Sequence, residues 1–223
     1  MEQQHPRGLE DLFPCWDKLT HHQQNHLQAH ARRRHYAKGQ RPHRGGDCSG
    51  LFLVQKGQLR VYILSESGKE VTLYRLFAWD ICLFSASCIM KNISFDLYVE
   101  AEKDTDVLVV PSGLYEELMK SSLAVADYTN QLMASRFSDV MWAMEQILFT
   151  SFDSRLAAFL LEQSRLDQVD TLCITHEEIA RHLGSAREVV TKMLNYFAQE
   201  GLVRLSRGKV ALLEPERLSA LVQ

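Results

Sequence analysis

The stretch from Thr175 to Val203 reads THEEIARHLGSAREVVTKMLNYFAQEGLV, and at helical spacing it carries Arg187, Glu188, Thr191, Lys192 and Asn195. An arginine fork can donate two parallel hydrogen bonds to O6 and N7 of guanine, and a carboxylate can accept one from N4 of cytosine. An Arg-Glu pair on one helical turn can therefore read a G·C step from the major groove. With residues set about 100° apart, Val190, Met193, Leu194 and Phe197 fall on one side. Glu188, Thr191 and Asn195 fall opposite, flanked by Arg187 and Lys192. One face is expected to be core and the other free.

Two neighbouring elements must position that face. Thr175 and Glu178 have the spacing of a capping box, in which each side chain satisfies a backbone donor at a helix start. A helix is expected from there through Ile179, Ala180 and Leu183, ending at Gly184, where a sharp turn needs permissive backbone. Ser185 with Glu188 repeats the capping spacing, so the second helix is expected to open at Ser185. A helix, a short glycine turn and a second helix with an exposed polar start make a helix-turn-helix. Val203 to Ser206, Arg207-Gly208 and Lys209 to Leu213 then read as a hairpin wing, with Arg204, Arg207 and Lys209 set to lie against phosphates. From Arg181 to Lys209 there are six cations and two anions, a local +4 in a chain of net charge −3. Glycine-joined helix pairs with solvated faces are common in soluble proteins, and Glu188 could serve only as a cap. The wing and the local charge turn the reading toward nucleic acid.

Other residues with chemical potential are less coherent. The five cysteines, Cys15, Cys48, Cys82, Cys88 and Cys173, are an odd number without CxxC or zinc-finger spacing, so free thiols are expected rather than a disulfide framework. Cys82 and Cys88 could act as a redox switch if one thiol were acidic and exposed; otherwise they are small buried residues. Seven of the nine histidines (His5, His21, His22, His26, His30, His35 and His43) precede residue 44. His22, His26 and His30 share a helical face, but no carboxylate or thiolate completes a ligand set in sequence, so surface histidines and no metal are expected. The run from Arg32 to Arg44 reads as solvated loop and strand.

The 223 residues, 46% of them hydrophobic, can bury one large or two ordinary domains. No window has the roughly 18 apolar residues of a membrane span. The start MEQQHPRGLEDL has no apolar run behind a basic cluster, so a cytoplasmic chain is expected. Between Arg34 and Val110, short runs alternate between glycine-bearing turns: Leu51 to Gln55, Gln58 to Leu64, Glu70 to Leu76, Phe95 to Ala101 and Asp106 to Pro111. They predict a sandwich or a jelly roll. Tyr115 to Phe149 lacks glycine and proline, and its stripe of Val125, Tyr128, Leu132, Val140, Met144 and Ile147 predicts one long helix. Met141, Trp142, Leu148 and Phe149 lie off that stripe. The surplus suits either burial between two domains or pairing with a second copy.

Nearly the whole chain resembles the Crp/Fnr regulators. The resemblance rests on Lys38-Gly39, on GLFLVQKGQLRVYILSESGKEVTLYRL from Gly50 to Leu76, on VLVVP from Val107 to Pro111, and on THEEIARHLGSAREVVTKML. It implies an α+β fold: residues 1–112 as a double-stranded β-helix (jelly roll) sensor, 113–150 as a dimerisation helix and 151–223 as a winged helix-turn-helix. The implied function is a homodimeric transcription regulator and no enzyme. Its partners would be a pseudo-palindromic double-stranded DNA operator and a second copy, with RNA polymerase a further candidate and no membrane. By position Arg187 and Glu188 match the family's base-contacting pair, while Lys192 stands where many members have an arginine fork, which lysine lacks.

The family's cyclic-nucleotide binders hold ribose with the Glu of a Gly-Glu pair and phosphate with the Arg of an Arg-Ser/Thr pair. Here Leu83-Phe84 takes the first place and Ser94 to Asp96 the second, without an arginine, so cyclic AMP is expected not to bind. Iron-sulfur members carry an N-terminal cysteine group, and here only Cys15 lies near that end. The effector is then unidentified, with a pocket expected around Cys82, Phe84, Cys88 and Phe95 and no cofactor. A cupin-type metal enzyme is the rival reading, but its H-x-H signature is missing from the β segment. A sensor that acts through protein contacts alone is the third.

Overall fold

Glycine turns and β-rich runs fold into two antiparallel four-stranded sheets. The computed structural model describes residues 8–45, 48–89 and 95–222. Two units divide the chain, residues 1–64 with 73–140 and residues 65–72 with 141–223.

The first unit starts with α1 (Leu9–Leu12) and α2 (His21–His30). Thr20 caps α2, its hydroxyl accepting from the Gln23 backbone N–H at 3.3 Å while Oε1 of the Gln23 side chain accepts the Thr20 N–H at 2.9 Å. Next come β1 (Arg32–Tyr36), β2 (His43–Arg44), β3 (Leu51–Lys56), β4 (Leu59–Leu64), β5 (Glu70–Leu76), β6 (Ile81–Cys82), β7 (Tyr98–Ala101) and β8 (Thr105–Val110). The sheet orders are β1-β8-β3-β6 and β2-β7-β4-β5. Phe52, Val54 and Val107 of the first sheet share one core with Val61, Leu76 and Val99 of the second. Leu51, Leu53, Leu108 and Val110 point the other way, into a core built with α1, α2 and the helices that follow. Because β3 is covered on both faces, Leu51 to Val54 are all buried and read as an unbroken apolar run.

The expected single long helix is two, α3 (Ser112–Ser121) and α4 (Leu123–Phe149). Ser122 is extended at φ −131°, ψ 112°, and the Ser121 hydroxyl donates to the Glu117 carbonyl at 2.8 Å. Consecutive serines compete for backbone partners and end the first helix, an effect invisible to hydrophobic periodicity. The expected apolar stripe also divides. Val125, Tyr128 and Leu132 pack on the first unit's core, whereas Met144 and Ile147 are exposed. Leu123, Ala134, Phe137, Met141, Met144 and Leu148 all lie exposed at heptad spacing along α4.

The second unit contains α5 (Phe152–Asp167), β9 (Thr171–Leu172), α6 (His176–Leu183), α7 (Arg187–Gln199), β10 (Val203–Ser206), β11 (Lys209–Leu212) and α8 (Pro215–Ser219). Its sheet has the order β10-β11-β9. Leu156, Leu160, Ile179, Val190, Leu194, Phe197 and Val210 form its core. Among the described residues no helix is long and apolar enough to cross a membrane.

Candidate nucleic-acid interface

The start of α6 follows the capping expectation: the Thr175 hydroxyl accepts from the Glu178 N–H at 3.2 Å, and the Glu178 carboxylate accepts the Thr175 N–H at 2.7 Å. Gly184 ends the helix in the left-handed region, at φ 61° and ψ 35°. Its N–H and that of Ser185 both donate to the Ala180 carbonyl, the latter at 3.0 Å. This closure claims Ser185 for α6 and corrects the expected second capping box. Helix α7 starts at Arg187, with Ala186 as its cap residue and no side-chain capping bond. Glu188 is exposed and has no part in capping. An acidic residue still suits that first turn, where the helix dipole presents positive charge.

Along α7 the inward residues Val190, Leu194 and Phe197 are fully buried, while Arg187, Glu188, Lys192 and Asn195 are exposed. These four and Thr191 line one shallow groove. The structure thus brings together the five residues that helical spacing put on one face. Thr191 differs from the other four because it is half-buried and its Oγ1 lies 2.9 Å from Nδ1 of His176. It is a link between α6 and α7 as well as a face residue.

The strands β10 and β11 pair antiparallel, Val203 with Leu212 through Ser206 with Lys209, and Gly208 turns the hairpin at φ 68°. Arg204, Arg207 and Lys209 are exposed. A cleft of about 440 Å³ runs between the hairpin tip and the starts of α6 and α7, lined by His176, Glu177, Arg187, Arg207 and Lys209 among others. Burial, and then the Arg187 charge, hold the His176 imidazole below its ordinary pKa.

Sequence reasoning did not single out His176 or Val189. His176 was legible as the first residue after a helix cap, where backbone N–H groups and positive dipole converge. Val189 is exposed next to Glu188, an apolar side chain on a polar face, and such a group suits a thymine methyl.

The sensor residues differ in burial and in covalent state. Cys82 is fully buried, and burial pushes its thiol pKa up, so it is no acidic switch. Phe84 is buried beside Tyr74, whereas Phe95 is exposed. Cys88 is exposed and disulfide-bonded to Cys48, which corrects the expectation of free thiols throughout. Ser94 lies outside the described residues, as does His5. On α2 the rings of His26 and His30 meet edge to face at 4.4 Å, with His22 a further turn away. No group of three or more metal-ligating side chains occurs among the described residues.

Residues 154–221 match the Crp-like helix-turn-helix domain, and residues 33–122 match the cyclic nucleotide-binding domain. A β-roll of that type joined to a winged helix-turn-helix defines a DNA-binding transcription regulator rather than an enzyme. A crystal structure from Eubacterium rectale, assigned as a transcriptional regulator of the Crp/Fnr family, is 53% identical, covers 96% of this chain and 99% of its own, and superposes with a TM-score of 0.94. The cyclic AMP receptor protein of Thermus thermophilus is 29% identical over 183 residues, 82% of this chain and 84% of that one. The transcriptional activator protein Anr of Pseudomonas aeruginosa is 26% identical over 193 residues, 82% and 78% of the two chains. The chain belongs to the Crp/Fnr family.

Proposed function

We propose that the chain regulates transcription as a homodimer that reads a pseudo-palindromic operator and responds to a signal other than cyclic AMP. Residues 1–112 would sense, 113–150 would pair the copies and 151–223 would read DNA, in the cytoplasm where the chromosome lies. The observation that carries this reading is the exposed Arg187-Glu188 turn next to a cationic wing, which concentrates positive charge on a chain of net charge −3. Arg187 and Glu188 read base edges; Lys192 and Asn195 extend the contact; Thr191 is steadied by His176. Arg204, Arg207 and Lys209 hold phosphates, which fix register without carrying sequence information. The exposed heptad stripe of α4 supports pairing between two copies.

Mobility-shift titration on a selected operator tests the assignment. Arg187→Ala is expected to cost about 1–3 kcal/mol on the selected site and to relax its sequence preference. Arg207→Ala should weaken binding to all duplexes alike and lower the salt slope by about one unit. Unchanged sequence preference in Arg187→Ala sinks the direct-readout role.

His176 gives a pH test. Its proton affinity is depressed in the free protein, so its contribution to fold stability is present above the usual pKa of 6.5 and is lost as pH falls below that value. A phosphate in the cleft reverses the preference, because negative charge favours the imidazolium. The hydroxyl of Thr191 can pair with either form of the ring. Operator binding should therefore take up a proton and tighten roughly two- to five-fold from about pH 8 to about pH 6. His176→Gln should flatten that profile, and a flat profile in the unsubstituted chain rules the contact out.

Against cyclic AMP stands the apolar burial of Leu83 and Phe84 where the nucleotide binders place Gly-Glu. Titration calorimetry with cyclic AMP is expected to give no saturable heat. A micromolar dissociation constant would overturn this.

A further inference from the structure

We propose that Cys48 and Cys88 form a reversible thiol–disulfide exchange site whose substrates are low-molecular-weight disulfides and thiols, and that its state sets DNA affinity. Cys48 lies on the connection from β2 to β3, and Cys88 lies in the 3₁₀ segment Phe84–Ile89. The two are 40 residues apart in sequence with Cα atoms 5.6 Å apart. Both are exposed, so a small disulfide or thiol reaches them from solvent. Cys15 and Cys82 are buried, and burial raises both of their pKa values, which withholds the reactive thiolate. Cys173 is exposed, but neither other free thiol is on the surface to pair with it.

A purely structural staple is the competing account. Non-covalent bonds already hold the two segments together without the sulfur bridge. The Ser49 N–H donates to the Ser85 carbonyl at 3.0 Å and the Phe52 N–H donates to the Ser85 hydroxyl at 3.3 Å, while that hydroxyl is fixed within its own segment by donating to the Cys82 carbonyl at 2.7 Å. Reduction therefore leaves the two thiols close together, and reoxidation is intramolecular with a high effective concentration. The segment is also mechanically connected. Leu83, Ala86 and Ile89 pack in one core with Leu114, Tyr115 and Leu118 of α3 and with Val125 and Leu132 of α4. A change in how Cys88 is anchored acts on the helix that carries the heptad stripe.

The chemistry balances as an exchange. The thiolate of one cysteine attacks a sulfur of the small disulfide, and one small thiolate leaves and takes up a proton. The second cysteine, deprotonated in turn, attacks the protein sulfur of the mixed disulfide and expels the second small thiol. Two protein thiols are oxidised to one disulfide, and one small disulfide is reduced to two thiols.

The DNA part rests on the proposed function, so the test has arms that do not need DNA. The full chain is equilibrated in millimolar glutathione buffers of varied ratio, trapped by alkylation and examined by peptide mass spectrometry. A single reversible transition linking the Cys48 and Cys88 peptides is expected. Cys48→Ser and Cys88→Ser should each leave one glutathione on the remaining partner. Opening a 40-residue loop should lower the melting midpoint by roughly 5–10 °C, and the double serine variant should melt there in every buffer. Duplexes enriched from a randomised pool should then show an affinity change of at least about five-fold between the oxidised and reduced chain, absent in the double variant. A bridge that millimolar glutathione never opens, or equal affinities in both states, overturns the proposal. If neither state enriches any duplex, the DNA-reading function fails, while mass and melting still decide the exchange site.

Discussion

A chain carrying Phe137→Glu and Met144→Glu is expected to sediment as a monomer where the unsubstituted chain sediments as a dimer, and to lose roughly 10²–10⁴-fold in affinity for a two-half-site operator. Both residues are exposed, 67% and 47%, on the α4 stripe at heptad spacing, so neither supports the fold of a single copy. In a paired state, four carboxylates would be drawn out of water with no partner cation on the stripe, and desolvating even one such charge costs several kcal/mol. The loss at the operator comes from separating two linked half-sites, since each reading unit keeps its own contacts. Binding to an isolated half-site should stay within about two-fold, because α7 and the wing are untouched. Sedimentation and mobility shift check both parts. A monomeric unsubstituted chain at micromolar concentration removes the basis for the α4 pairing.

Phe197→Ala should cost about 3–5 kcal/mol in the stability of the second unit. Its ring is fully buried among Leu156, Leu160, Ile179, Val190, Leu194 and Val210, and neighbours on three helices and a strand cannot all close over the space left behind. Since a domain's whole stability is about 5–15 kcal/mol, the loss is a large share of it. Urea melting should show one transition moved to much lower denaturant, with DNA binding lost in parallel. Val189→Ala, on the outer side of the same helix, should stay within about 0.5 kcal/mol. A Phe197→Ala midpoint matching the unsubstituted chain would mean that α7 does not use this face to pack.

These contrasts follow from a division of α7 that is legible in the sequence. Val190, Leu194 and Phe197 repeat at helical spacing, and burial follows that period because a helix packed on a core has one side to hide. The capping box of Thr175 and Glu178 was legible for the same reason: its two hydrogen bonds are local. The strands β3, β4, β5, β7 and β8 were legible through turns and β-branched residues, although β3 lost its alternation by being covered twice, whereas β6 and β9, only two residues each, carry no pattern to read.

The misreadings arose where a local signal met a competitor outside its window. Ser185 has the spacing of a cap for α7, but its N–H closes the preceding helix on Ala180, and one residue cannot fill both roles. At Ser122 the backbone leaves the helix although the apolar period continues on either side. Cys88 was read together with Cys82, six positions earlier and facing the core, as one of two free thiols, whereas it is bonded to Cys48, which the fold brings from 40 residues away. No spacing rule carries that pairing; it follows from how the loop before β3 meets the segment after β6.

The closure of α6 by the Ser185 backbone has a further meaning for how such a chain diversifies. With the turn secured by main-chain bonds to Ala180, the exposed side chains at 187, 188 and 192 have no task in keeping the helices assembled. Where these side chains read bases as proposed, their letters can be exchanged at a cost to the scaffold confined to the helix-dipole contribution of Glu188, so paralogues with divergent target vocabularies can arise without passing through unstable ancestors.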